Sequence, residues 1–249
     1  MPSIDLGIFD HVVFLALVAL VPWNARRRFR SLVEAVEGGD PNARTRAYRT
    51  VVVEKWVLTA VIAVAWIALS RSASSIGLTA RLTPLAIVGY ALTALTIGAL
   101  LMLARSVVSS EQGRRKTRES IASVGAFVPH TATEKRWFDA VSVTAGIQEE
   151  LIYRGFLFAY FAAWSPGMPA AIVILGAGLV FGLGHLYQGA AGIVKTGTLG
   201  VLFGVLYWMT GSVWAPLLLH VVVDLSSGWM GWQVVREGGL DARVEPAAA

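Results

Sequence analysis

Long apolar runs constrain this chain more than any other feature of it. Seven of them lie at residues 6–23, 51–69, 84–104, 137–164, 169–187, 190–210 and 213–232. A run of about 20 apolar residues is the length of a helix that crosses a bilayer. The sequence therefore predicts an all-α fold: one polytopic transmembrane bundle of about seven helices (six to eight). The last two runs are parted only by a Thr210-Gly211-Ser212 turn. Several of the nine tryptophans fall near the ends of runs, namely Trp23, Trp56, Trp137, Trp164, Trp214 and Trp232. Such a belt is expected at headgroup depth.

Composition narrows the function classes. Charged residues are 15% of the chain and hydrophobic ones 55%, against about 25% charged in an ordinary soluble domain. That balance excludes a disordered chain and a nucleic-acid-coating protein, and it speaks against a water-soluble enzyme. With no cysteine, disulfides, thiolate zinc sites and a cysteine nucleophile are ruled out. The net charge of +5 sits between the apolar runs and bears on topology. Segment 24–50, read as a loop, holds Arg26, Arg27, Arg28, Arg30, Arg44, Arg46 and Arg49, and segment 105–136 holds seven more Lys/Arg. Only Arg71 and Arg81 lie between the second and third runs. The positive-inside rule then places 24–50, 105–136 and the C-terminus in the cytoplasm of a multi-pass cell-membrane protein. The first run has Asp5 and Asp10 but no basic residue ahead of it and no A-x-A site; it is expected to be a retained helix rather than a cleaved signal. Segment 111–136 is expected to hold an interfacial helix, and 233–249 to be a flexible tail.

Ionisable groups inside apolar runs are the informative residues. Each costs at least about 2.5–3.5 kcal/mol at a helix centre and so needs a partner or a purpose. The fourth run carries Glu149, Glu150 and Arg154 in QEELIYRGF, the fifth His185 in FGLGH, and the seventh His220 and Asp224 in HVVVD. The first three runs hold only Asp10, His11, Glu54 and Lys55, near their ends. A polar site built by the C-terminal half follows, with residues 1–120 as a frame. Glu150 and Arg154 stand i, i+4 and share a helix face, so they can pair. Glu149, rotated about 100°, must find a partner on another helix, be protonated or hold water. His220 and Asp224 are also i, i+4, a spacing that lets the carboxylate fix the imidazole tautomer. Phe181 lies one turn before His185 and is expected to pack on its ring. Two imidazoles and a carboxylate suit water activation, with histidine holding water, donating to an oxyanion or ligating a metal.

At these residues the chain resembles the CPBP intramembrane proteases, the CAAX-protein and bacteriocin-processing (Abi) family. That family's motifs are E-E-x-x-x-R, F-x-x-x-H and H-x-x-x-N/D, and all three occur here in order within about residues 121–232. The resemblance implies that Glu149 activates water with His185 as its partner, and that His220 stabilises the oxyanion. It implies supporting roles for Glu150 and Arg154, and it places Asp224 at the N/D position. Where relatives carry Asn there, the amide can donate to the oxyanion; an ionised aspartate cannot. The resemblance leaves the cofactor open: a divalent metal such as zinc, held by Glu149, His185, His220 and Asp224, or none. The implied partners are the bilayer and a membrane-associated or lipidated protein or peptide substrate. No H-E-x-x-H, G-x-S-x-G or G-x-G-D pattern offers another intramembrane protease type. Two other readings stand beside the protease: an inactive immunity or scaffold protein of the same fold, and a small transporter or proton relay. A transporter is expected to show paired halves, and none is visible. Gly178–Gly182 and Gly200–Gly204 are G-x-x-x-G spacings, read as close helix packing.

Overall fold

A computed structural model describes residues 4–237. Among the described residues there are eight helices and no strand: α1 Ile8–Glu37, α2 Ala43–Ala68, α3 Pro84–Ser109, α4 Glu111–Ile121, α5 residues 132–164, α6 Ala170–Leu183, α7 Gly189–Thr210 and α8 Trp214–Arg236. The all-α bundle expected from the apolar runs is present. Four helices are long and apolar enough to cross a membrane: α1, α2, α3 and α7 with the turn before it. The remaining helices differ from these in length or polarity. α6 is a short apolar helix, and α5 and α8 carry the polar residues that lower their hydropathy. Those residues face the interior, where neighbouring helices rather than lipid receive them.

α5 is the axis of the bundle. Phe156, Leu157, Phe158 and Tyr160 are all buried. The helix opens on a capping box: the Thr131 hydroxyl accepts from the Glu134 N–H at 3.2 Å, and the Glu134 carboxylate accepts from the Thr131 N–H at 3.1 Å. Two neighbouring donors of the first turn are satisfied reciprocally. Midway, Leu151–Phe156 relaxes into a π-helical turn, a local widening that often accompanies functional sites. α2 and α8 flank the first half of α5, and α1 packs on its second half, with Phe14 stacked on Tyr160 at 4.8 Å. α6 and α7 form a tight pair. A Cβ on Gly182 would stand 2.7 Å from the Ile193 carbonyl oxygen, so only glycine permits this approach, as the G-x-x-x-G spacing predicted. α7 and α8 meet at a turn whose Gly211 has φ +61°, a left-handed conformation that favours glycine.

Two boundaries differ from expectation. Segment 24–50 is helix except for residues 38–42, because α1 and α2 continue past Trp23 and before Trp56. All seven arginines therefore ride on a helical hairpin, which Arg28 and Glu54 bridge by an ion pair. Residues 233–236 of the expected tail belong to α8, and residues 238–249 lie outside the described part. α4 supplies the helix expected within 111–136. The lipid-type faces are plain on α2, where Val53, Val57, Val61, Val64 and Ile67 are all exposed.

Candidate active site

Glu149 and Glu150 end the α-helical part of α5, just before the π turn. The two carboxylates diverge. Glu150, fully buried, accepts through one oxygen, Oε1, from Arg154 Nη1 at 2.8 Å and from His220 Nδ1 at 2.7 Å. Arg154 spends its other amino group on the Gly200 carbonyl at 2.9 Å. Its guanidinium lies between the Phe181 and Phe203 rings, 4.8 and 5.2 Å from their centroids. Cation–π contact and two charge-assisted bonds offset the cost of burying this cation. The i, i+4 pair expected from the sequence is present, and it does more than neutralise itself: it holds a histidine from α8.

That finding corrects the expected role of Asp224. Its Oδ2 is 3.6 Å from His220 Nε2, too long for a hydrogen bond. Glu150, not Asp224, sets the ring, because it accepts from Nδ1 at 2.7 Å. The i, i+4 spacing brought Asp224 near the ring, but to its far nitrogen. His220 is further fixed by stacking on Phe203 at 5.1 Å and by the edge of Phe181 at 5.7 Å. Its Nε2 faces Glu149 Oε2 across 3.8 Å. Glu149 Oε1 accepts from Lys55 Nζ at 2.7 Å, while Oε2 is buried without a hydrogen-bond partner among the described residues. A separation of 3.8 Å between polar atoms is one across which a water can donate to the carboxylate and accept from the imidazole.

His185 does not sit on a membrane helix, contrary to the sequence reading. α6 ends at Leu183, and His185 occupies the turn that follows, ahead of the short 3-10 segment Leu186–Gln188. Gly184 ends the helix, and the break at the glycines brings the imidazole to the helix end. Its Nδ1 donates to the Phe181 carbonyl at 2.9 Å, which leaves Nε2 as the acceptor nitrogen. The Phe181 ring stands 4.8 Å from His185 and contacts His220 and Arg154 as well. Its packing role is wider than expected: it is the wedge on which both imidazoles rest.

The structure therefore brings Glu149, Glu150, Arg154, Phe181, His220 and Asp224 into one cluster, with His185 seated against it. Sequence reasoning missed Lys55 and Gln148, whose Oε1 also accepts from Lys55 Nζ at 3.0 Å. A lysine within VVVEKWVLTA was the available signal; it was read as an end residue because the second run was drawn from Val51, eight residues after α2 begins. As to a metal, no group of three or more His, Asp or Glu among the described residues is placed to hold one. The Lys55 ammonium already engages one oxygen of Glu149, Oε1.

Residues 135–226 match the Rce1-like family model, described as Type II CAAX prenyl endopeptidase Rce1-like. The match runs from the first turn of α5 into α8 and contains all three motifs. It agrees with the resemblance read from those motifs, and at family level it supports a hydrolase of the CAAX-protease type. Together with the apolar helices it makes the chain a multi-pass membrane protein. No curated protein and no solved structure matches the chain.

Proposed function

We propose that this protein is an intramembrane endopeptidase that hydrolyses peptide bonds of membrane-associated or lipidated proteins by glutamate- and histidine-activated water. The observation that carries the reading is Glu149 Oε2: a buried carboxylate oxygen with no partner, aimed at an imidazole nitrogen 3.8 Å away. A buried acceptor left unpaired costs about 1–3 kcal/mol, so the gap is a place for a polar guest.

In the proposed reaction a water sits between Glu149 and the imidazoles. His185, with Nδ1 engaged by the Phe181 carbonyl, accepts one water hydrogen at Nε2 and orients it. Glu149 takes the other proton as general base. The water oxygen attacks the scissile carbonyl carbon, and the π electrons move onto the carbonyl oxygen. His220, held at Nδ1 by Glu150, directs its other nitrogen to that oxyanion, and a proton there donates to it. Glu149 then gives its proton to the leaving nitrogen as the C–N bond breaks. No covalent enzyme intermediate forms. Asp224 lies 3.6 Å from His220 Nε2, and its negative charge favours the protonated imidazole that donates to the oxyanion. The basic helical hairpin is taken to face the cytoplasm, and residues 121–232 are taken as the catalytic core within the membrane.

The test is cleavage of a fluorogenic peptide in liposomes, with and without a prenyl group on its C-terminal cysteine. Glu149→Gln is expected to lower turnover by about 10²–10⁴-fold, the contribution of a positioned general base. Full cleavage by this variant overturns the assignment. A rate that does not depend on the prenyl group leaves an endopeptidase for membrane peptides at large.

A further inference from the structure

The family match begins at residue 135, so it assigns nothing to the N-terminal helices. Yet α2 sends one charged side chain into the site. We infer that Lys55 is a positioning residue for the peptidase reaction, clamping one oxygen of Glu149 so that the other is presented to water; the inference rests on the function proposed above.

Of the four helices long and apolar enough to span, α2 is the least covered by the rest of the protein, with apolar side chains exposed along one face. A lysine near the middle of such a helix costs on the order of 2.5–3.5 kcal/mol, and nothing about spanning a membrane requires it. Its ammonium is turned inward and has two acceptors on consecutive residues of α5. Nζ stands 2.7 Å from Glu149 Oε1 and 3.0 Å from Gln148 Oε1. Gln148 is itself buried, so the amide is a fixed second anchor rather than a surface contact. Two anchors on one backbone segment define where the ammonium sits, and the ammonium in turn defines which carboxylate oxygen is occupied.

The consequence is geometric. A free carboxylate turns about its last torsion and exchanges its two oxygens. With Oε1 held, Oε2 stays on the side of His220 Nε2, at 3.8 Å. Glu150, one residue on, also has an unpartnered Oε2, but it meets His220 at the anchored Nδ1, and it is Glu149 that faces the open Nε2. Arg49 of α2 also meets α5, but on the Trp137 ring near the start of that helix, so Lys55 is the α2 cation that reaches Glu149. The N-terminal half is thus part of the catalytic unit and not only its frame.

The experiment compares Lys55→Met, Lys55→Arg and Lys55→Gln, together with Glu149→Gln and the double variant, on a fluorogenic prenylated peptide in liposomes. A base misplaced by about 1 Å costs on the order of 10²-fold. Lys55→Met is therefore expected to lose about 10- to 100-fold in kcat with KM within about twofold of the parent. Lys55→Arg, which keeps a cation in reach of both acceptors, is expected to recover most of that loss. The double variant Lys55→Met/Glu149→Gln is expected to match Glu149→Gln alone, since a residue that acts through Glu149 has nothing left to act on.

Turnover of Lys55→Met at the parent rate overturns the inference, and turnover above it means that Lys55 masks Glu149 instead. A further loss in the double variant overturns it too. Where Lys55→Met does not fold, Lys55→Arg and Lys55→Gln carry the test: equal rates for the two overturn it, and an active Arg beside an impaired Gln supports it. If Glu149→Gln itself cleaves at the parent rate, it is the peptidase reading that falls, and that result is distinct from any of these.

Discussion

Removing the Glu150 carboxylate separates what stabilises this bundle from what drives its proposed chemistry. In Glu150→Leu, Arg154 keeps the Gly200 carbonyl and its two aromatic faces but loses its counter-charge. His220 Nδ1 loses its only acceptor among the described residues. Two charge-assisted bonds of 2.8 and 2.7 Å disappear, each worth about 1.5–3 kcal/mol. Stripping one partner from a buried ion pair costs about 3–5 kcal/mol in all. For a chain of this size 1 kcal/mol is about 2–4 °C of melting temperature, so a fall of roughly 6–20 °C is expected. The assay is thermal unfolding in mild detergent, followed by tryptophan fluorescence. Adding Arg154→Met tests the cause. The double variant no longer buries an unpaired cation, and its remaining deficit is the unsatisfied imidazole N–H, about 1–3 kcal/mol. The melting temperature is expected to rise again by several degrees, while peptide cleavage stays lost because His220 has no anchor. A single variant as stable as the parent refutes the reasoning about the pair. A double variant that cleaves at the parent rate refutes the reasoning about the imidazole.

Other outcomes follow from the same contacts. Gly182→Val places a Cβ 2.7 Å from the Ile193 carbonyl and must part α6 from α7; overpacking of this kind costs about 1–3 kcal/mol, read as a lower melting temperature and as slower cleavage, since Phe181 moves with the helix. Parent-like values for both show that the pair is loosely packed. His130, in the connection before α5, is half-buried; burial and the nearby Arg44 push its pKa below 6.5, against the opposing pull of Glu134. The unfolded chain therefore binds this proton more readily than the fold. The contribution to stability is complete above about pH 6.5 and is lost as pH falls toward the depressed value. Melting temperatures measured across that range are expected to drop toward acid, and His130→Gln to flatten the slope; an unchanged slope removes His130 as its source. Because no ligand set of three converges among the described residues and Lys55 occupies the side of Glu149, cleavage is expected to survive a strong chelator. Activity lost to the chelator and restored by zinc would falsify that reading.

The membrane bundle was legible in the sequence, and so were the residues of its polar cluster, because runs of apolar residues and the charges that interrupt them are local facts. Helical spacing by itself paired Glu150 with Arg154. It also placed Asp224 near His220, but which nitrogen it would meet depends on how α8 is rotated against α5, and that rotation is fixed by Phe203, Phe181 and Glu150. The break after Gly184 brings His185 into reach; glycine only permits such a break, and the packing of α6 on α7 decides that it occurs.

Chain order, hydropathy and the three motifs determined that this is a polytopic helical protein with acids, bases and a cation in its interior. Those are properties of single residues and of one helix at a time. Tertiary structure alone decided that Lys55 meets Glu149, residues 94 apart in sequence, and that Glu150 rather than Asp224 sets the imidazole. Contacts between helices depend on where their faces meet, and no spacing within one helix carries that information.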